Sequence, residues 1–164
     1  MDDTGQARER MVQGQVAARG VADPPVLAAM HRVPRDLFVT DELAEFAHSD
    51  TALPIAHGQT ISQPYVVAAM AEAARILPPD RVLEVGTGSG YAAAILAELA
   101  AEVYTIERHA TLAADARERL ERLGYRNVRV RHGDGTLGCL EAAPVDAIAV
   151  TAGGPMPDTF PFGL

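Results

Sequence analysis

Three glycines at alternate positions carry the densest chemical signal in this chain. They lie in Val82-Leu83-Glu84-Val85-Gly86-Thr87-Gly88-Ser89-Gly90, where an apolar run with one acid leads into a helix-forming stretch. At Gly86 and Gly88 the backbone N–H groups can approach a ligand with no Cβ between them, and Gly90 lets the next helix pack closely on the strand. The dinucleotide fingerprint spaces its glycines at relative positions 1, 3 and 6. Here they occupy positions 1, 3 and 5, and Tyr91 stands at 6. S-adenosylmethionine has no pyrophosphate; it needs room for a methionine moiety and an acid for a ribose. Glu107, which closes the apolar run Val103-Tyr104-Thr105-Ile106, lies 21 residues beyond Gly86 (107 minus 86), where a carboxylate accepts from ribose hydroxyls. The pattern reads as a methyl-donor site, the alternative being a tight turn with no ligand.

Such a turn needs a strand before it and a helix after it. From position 81 onward the chain alternates: strand 81–85, helix about 90–100, strand 102–106, helix about 109–123 closed by Gly124, strand 127–131 and strand 145–150. The strands are short and rich in Val, Ile and Leu, as expected where helices cover both faces of a mostly parallel sheet. Between the last two strands there is room only for a loop at Gly133-Asp134-Gly135 and about one and a half helical turns around Leu137 to Ala142. The first part of the chain is helical instead. An amphipathic helix runs from about Gln6 to Arg19 and stops at Gly20, and Pro24-Pro25 opens a short second helix through His31. Arg32-Val33-Pro34-Arg35 breaks that helix, and Asp41 to Ala47 forms another short one. A turn-rich stretch, Ser49 to Gly58, precedes a helix that Ser62 can cap, with Pro64 in its first turn and Pro78-Pro79 beyond its end. One α/β domain over 1–164 follows, with a helical N-terminal region at 1–78 and the βα core at 79–164.

Composition narrows the classes. The chain has 164 residues, 48% of them apolar, and a formal net charge of −8, with arginine as its only basic residue besides histidine. An acidic surface argues against a nucleic-acid partner, where phosphate neutralisation dominates binding. The arginines at 117, 119, 122, 126, 129 and 131 are interleaved with Asp115, Glu118 and Glu121, and read as a salt-paired solvated face. No apolar run approaches a membrane span, and the acidic opening Met1-Asp2-Asp3 is unlike a secretory signal, so a cytoplasmic location and no membrane partner are expected. Cys139, the single cysteine, can form no intrachain disulfide and reads as a small apolar filler. His31, His48, His109 and His132 share no metal-ligand spacing, so no metal is assigned. His57, in the turn-rich stretch, reads as an exposed loop histidine.

In this order the pieces resemble the protein-L-isoaspartate O-methyltransferases. The resemblance rests on Arg32-Val33-Pro34-Arg35-Asp36-Leu37-Phe38-Val39, on Leu53-Pro54-Ile55 with Gly58-Gln59-Thr60-Ile61-Ser62-Gln63-Pro64, on the glycine turn, and on Gly133-Asp134-Gly135 with Ala147-Ile148-Ala149-Val150-Thr151-Ala152. It covers nearly the whole chain, and Gly58 to Pro64 is its most particular segment. It implies a Rossmann-like, S-adenosylmethionine-dependent methyltransferase fold and a free isoaspartyl carboxylate in damaged proteins or peptides as acceptor. The family usually has Tyr where this chain has His48, and often Gly where it has Ala56, both in the substrate-side loop. Its members also continue after the fourth core strand with a helix, a fifth strand and an antiparallel pair, completing seven strands. Here the chain ends at Pro161-Phe162-Gly163-Leu164, so a truncated form with its C-terminal strands missing is expected. The strand at 145–150 would then be an apolar edge prone to association; sequence leaves the oligomeric state open.

The resemblance implies a catalytic role for Ser62, whose hydroxyl can donate to one oxygen of the substrate carboxylate; the alternative is a helix N-cap, and one serine could do both. Thr60 and Gln63 are expected to shape the same substrate pocket, with Thr151 at the carboxyl edge of the sheet. Donor contacts are expected from Gly86, Thr87, Gly88 and Gly90, from Glu84 toward the amino group or backbone, and from Glu107. Gly133, Asp134 and Gly135 complete the set, with Asp134 accepting from the adenine amino group or serving as a turn aspartate. Two other readings stay open: a methyltransferase of the same fold acting on a small molecule, and an inactive remnant that at most binds the donor.

Overall fold

The computed structural model describes residues 3–152. A continuous helical course opens it: α1 (Asp3–Met11), a π-helical stretch at Val12–Val16 and a tight turn at Ala17–Arg19. Gly20, at φ 103°, ends it in the left-handed conformation expected of a glycine stop. The wider π pitch brings Met11, Val12 and Val16 onto one side, and all three are fully buried. Next come α2 (Pro24–Arg32), with proline in its first turn, and 3-10 turns at Arg35–Phe38 and Asp41–Phe46. The turn-rich stretch holds an antiparallel pair that is too short for periodicity to reveal, β1 (Leu53–Pro54) against β2 (Thr60–Ile61).

Helix α3 (Pro64–Ala74) starts one residue later than a Ser62 cap requires. Gln63 is its N-cap, with no side-chain cap bond, because its carbonyl already receives Val66 N and Val67 N. The cap reading of Ser62 is thereby corrected. The βα core then follows as β3 (Arg81–Val85), α4 (Tyr91–Ala97), β4 (Glu102–Glu107), α5 (Ala110–Arg122), β5 (Val128–His132) and β6 (Ala147–Val150). Only a 3-10 turn, Gly135–Leu137, lies between the last two strands, in place of the helical turns expected around Leu137 to Ala142.

The four core strands are parallel in the order β5-β4-β3-β6. Right-handed crossovers that step the same way, β3 to β4 to β5, leave their helices on one side. On that side Val82, Val103 and Ala149 pack with Leu96 and Ala100, and Val130 joins Ala113, Leu120 and Ile95. The opposite face, carrying Leu83 and Ile106, meets Cys139 and Ala142 of the β5–β6 connection. Among the described residues no helix covers that second face, so the two-sided cover expected from the sequence is seen on one side. The largest core cluster runs from Met11 to Val130 and joins the N-terminal helices to α3, α4 and α5.

Candidate functional site

The four parallel strands share one carboxyl edge, where open α/β sheets bind ligands, and a crevice opens there at the ends of β3 and β6. About 290 Å³ of empty space is lined there by Thr60, Ile61, Ser62, Val67, Gly86, Thr87, Gly88, Ser89, Tyr91, Ala92 and Thr151. The fold thus brings Thr60 and Ser62, from the substrate-side segment, against the glycine turn and Thr151.

The turn is shaped by its glycines. Gly86, Gly88 and Gly90 lie at φ 100°, 54° and 91°, a region that side chains rarely adopt. A Cβ on Gly86 would stand 2.6 Å from the Ala152 Cβ, so this glycine admits the chain leaving β6. A Cβ on Gly90 would meet Leu120 Cδ1 at 3.2 Å, so Gly90 lets α4 approach α5, and not the strand as its spacing led one to expect. Arg119 adds a bond from its guanidinium to the Ser89 carbonyl at 2.9 Å.

Glu107 ends β4 beside this turn. Its carboxylate accepts from Gly88 N at 2.9 Å and from His109 N at 3.0 Å, which ties the acid to the ligand loop and to the start of α5. Glu84 is fully buried, and its carboxyl accepts from Thr105 Oγ1 at 2.6 Å. Thr105 continues to Thr87 at 2.6 Å, and Thr151 Oγ1 stands 3.1 Å from Glu84 Oε1. Burial raises the Glu84 carboxyl to about 7, against the pull of its two threonine bonds and with a smaller push from Glu107. Glu84 therefore underlies the crevice, and Thr87 and Thr151 carry its influence to the lining.

The Gly133–Gly135 loop adjoins Glu107 through Gly133 N, which donates to the Glu107 carbonyl at 2.9 Å. Asp134 is exposed and accepts from Thr136 N and Oγ1 at 2.9 and 2.7 Å, bonds that hold its pKa below the ordinary value. A Cβ on Gly135 would fall 2.4 Å from Val85 Cγ1, so that glycine makes room for the strand. Gln63 is half-buried and sits at the crevice's flank as the N-cap of α3. Among the described residues the Ser62 hydroxyl has no hydrogen-bond partner, while its carbonyl accepts from Arg35 at 2.9 Å.

Two further sets of contacts near the site were not read from the sequence. Tyr91, noted only as a departure from the dinucleotide pattern, lines the crevice and is buried edge-on to Phe38 at 5.5 Å between ring centres. His57, in the left-handed region at φ 60°, is exposed as expected, yet it stacks on His109 at 4.8 Å and bonds Thr111. This contact carries the Ala56–Gly58 turn over to the start of α5. Among the described residues no cluster of His, Cys, Asp or Glu could hold a metal ion, and no helix is long and apolar enough to cross a membrane.

Comparison with known proteins extends the geometry. The family model described as protein-L-isoaspartate(D-aspartate) O-methyltransferase matches residues 6–160. The protein-L-isoaspartate O-methyltransferase of Synechococcus sp. (strain JA-2-3B'a(2-13)) is 58% identical over 154 residues, covering 94% of this chain and 63% of that protein. A second, from Rhodopseudomonas palustris (strain HaA2), is 58% identical over 148 residues, with 90% and 60% covered. The chain thus spans less than two thirds of the length of these two curated relatives. A solved protein-L-isoaspartate O-methyltransferase superposes with a TM-score of 0.80 at 31% identity, covering 89% of this chain and 48% of that one. Another, from Plasmodium falciparum and in complex with S-adenosyl-L-homocysteine, gives 0.73 at 25% identity, covering 93% and 74%. With a family match across nearly its whole length, this chain belongs to the protein-L-isoaspartate(D-aspartate) O-methyltransferase family.

Proposed function

We propose that this chain binds S-adenosylmethionine and transfers its methyl group to the free carboxylate of L-isoaspartyl residues in damaged proteins and peptides. The observation that carries this reading is the single crevice in which Thr60 and Ser62 face the Gly86–Ser89 turn. Its residues fit the donor. Two of the roughly four lone-pair sites on the Glu107 carboxylate are engaged by amides, which leaves acceptor capacity for ribose hydroxyls. The hydroxyls of Thr60, Thr87, Ser89 and Thr151 and the turn's backbone suit a zwitterionic methionine moiety. The two relatives' names and the complex with S-adenosyl-L-homocysteine support the same assignment.

When bound, the donor supplies an electrophilic methyl carbon on a sulfonium. A substrate carboxylate with an ordinary pKa near 4 is ionised at pH 7, so the protein need supply no strong base. Its task is placement. Holding the attacking oxygen about 3 Å from the methyl carbon and in line with the departing sulfur is worth roughly 7 kcal/mol or more. Ser62, with its hydroxyl unengaged among the described residues, donates to one carboxylate oxygen and turns the other toward the methyl carbon. Thr60 and Gln63 shape the substrate side and Thr151 closes the floor. Because an anion and a cation neutralise each other, a crevice that excludes water strengthens their attraction.

The 1–164 chain acts in this reading as one domain, with 1–78 on the substrate side and 79–164 on the donor side, supported by the core cluster that spans both. A cytoplasmic location belongs to the same proposal. Incubation with labelled S-adenosylmethionine and an isoaspartyl peptide is expected to give a base-labile methyl ester, with none on the matching aspartyl peptide. Methylation of small carboxylic acids but not of peptides would overturn the acceptor, and absence of donor binding by calorimetry would mark an inactive remnant. Ser62→Ala is expected to slow transfer about tenfold to a hundredfold, the worth of one hydrogen bond to a charged group, at near-normal donor affinity. Full activity in that variant would remove Ser62 from the mechanism.

A further inference from the structure

Arg35 is the largest fully buried side chain of the described residues, at 0% exposure. None of the ion pairs among those residues involves it, and its Nε has no hydrogen-bond partner there. Its remaining donors reach three carbonyls from three segments: Ala47, Thr51 at 3.1 Å and Ser62 at 2.9 Å. Below the guanidinium lies the Tyr91 ring, with its centre 5.6 Å from the guanidinium carbon, within the range of cation–π attraction. Burying a cation with no carboxylate in direct contact, Asp50 acting only from a distance, is costly, and an apolar residue of similar volume would fill the same space more cheaply. What arginine supplies in return is geometric. A planar fork binds several carbonyls at fixed angles, which neither lysine nor an apolar residue can do.

Two of its contacts belong to the crevice from opposite sides. Ser62 comes from the substrate-side segment, and Tyr91 is the first residue of α4, directly after Gly90 of the donor turn. We propose that Arg35 is a positioning residue for the methyl transfer: by holding the Ser62 carbonyl while standing over the Tyr91 ring, it sets the distance between the Ser62 hydroxyl and the donor turn. The proposal rests on the methyl-transfer reading given above. It goes beyond that reading by assigning the spacing of the two half-sites to a residue that touches neither ligand. Arg35 acts on the substrate half through Ser62, so its loss weakens orientation and leaves the donor half, held by Glu107 and Arg119, in place.

The test uses the 164-residue chain with Arg35→Lys, which keeps the charge but offers one ammonium in place of the fork, and with Arg35→Ala. For Arg35→Lys, affinity for S-adenosyl-L-homocysteine by calorimetry is expected to stay within about threefold of the unsubstituted value, as for a site held by separate residues. The kcat on an isoaspartyl peptide, per folded molecule, is expected to fall about tenfold to a hundredfold. Amide hydrogen exchange is expected to quicken at least about tenfold across positions 60–66 and to stay unchanged across 86–90. Millimolar guanidinium ion is expected to restore part of the rate lost in Arg35→Ala. An unchanged kcat in Arg35→Lys overturns the proposal, as does a loss spread equally over inhibitor affinity and exchange at both segments, the mark of a merely structural role. Should the unsubstituted chain form no methyl ester, the methyl-transfer reading is what fails. Exchange still decides the case for Arg35 then, since unchanged protection at 60–66 overturns it.

Discussion

At Glu84 the protons can be counted from distances. Thr151 Oγ1 lies 2.5 Å from the Gly86 carbonyl and 3.1 Å from Glu84 Oε1, so its single hydroxyl proton is shared between acceptors. The bond that Glu84 receives from Thr151 is weakened by this sharing, and burial prevails over both threonine bonds to raise the carboxyl from 4.5 to about 7. A folded-state pKa above the unfolded one means that the native state binds the proton more tightly. Its contribution is fully present below pH 4.5, declines as pH rises to about 7, and is flat beyond that; it amounts to about 3 kcal/mol. Glu84→Gln preserves an acceptor for Thr105 and a donor for Thr151 while removing the titration. Thermal unfolding of the variant, followed from pH 4.5 to 8, is expected to lack the fall that the unsubstituted chain shows over that window. Identical pH profiles for the two would mean that Glu84 stays charged in the folded chain.

At the scale of elements, two glycines of the expected donor set do different work. Gly88 lines the crevice, whereas Gly135 clears Val85 Cγ1, which a Cβ would approach to 2.4 Å. Gly135→Ala is expected to cost about 1–3 kcal/mol of stability through overpacking at the end of β3, with donor affinity per folded molecule nearly unchanged. Denaturant unfolding and calorimetry on one sample check this; a stable fold that no longer binds the donor would return Gly135 to the ligand site. Local signals made much of the site legible. The glycine spacing placed the turn, and period changes placed β3, β4, α5 and β5 within about a residue, because these patterns need only neighbours in sequence. What sequence missed depends on pairs that only the fold brings together. Thr105 meets Glu84 across 21 positions and Arg35 meets Ser62 across 27, and neither separation carries a local pattern. For the same reason Val-Pro-Arg read as a helix break and gave no hint of the buried fork. The Ser62 cap failed because Pro64, fixed at the first helical position, makes Gln63 the N-cap.

At the scale of the molecule, the two edges that the sheet has among the described residues differ. On β5, Arg129 and Arg131 are exposed and pair with Glu102 and Glu141, a charged edge of the kind that discourages strand pairing. On β6 and the connection before it, Ile148, Val150, Leu137 and Leu140 are exposed, the last two at 76% and 88%. Apolar side chains beside a strand that pairs on one side only among the described residues favour association, because pairing satisfies the backbone and removes apolar surface from water together. The chain is expected to self-associate at concentrations of tens of micromolar, and Leu140→Lys combined with Ile148→Lys is expected to shift it toward monomer. Both side chains already meet solvent, so the double variant should cost at most about 1 kcal/mol of stability. Light scattering coupled to size separation over a concentration series gives the comparison. If the unsubstituted chain stays monomeric throughout, or both proteins associate equally, the β6 side of the sheet is not the adhesive surface. Because Thr151 and the Gly86 turn lie at the end of that same strand, an association that buried β6 would also constrain the crevice floor. The lysine pair would then raise donor affinity as it lowers assembly.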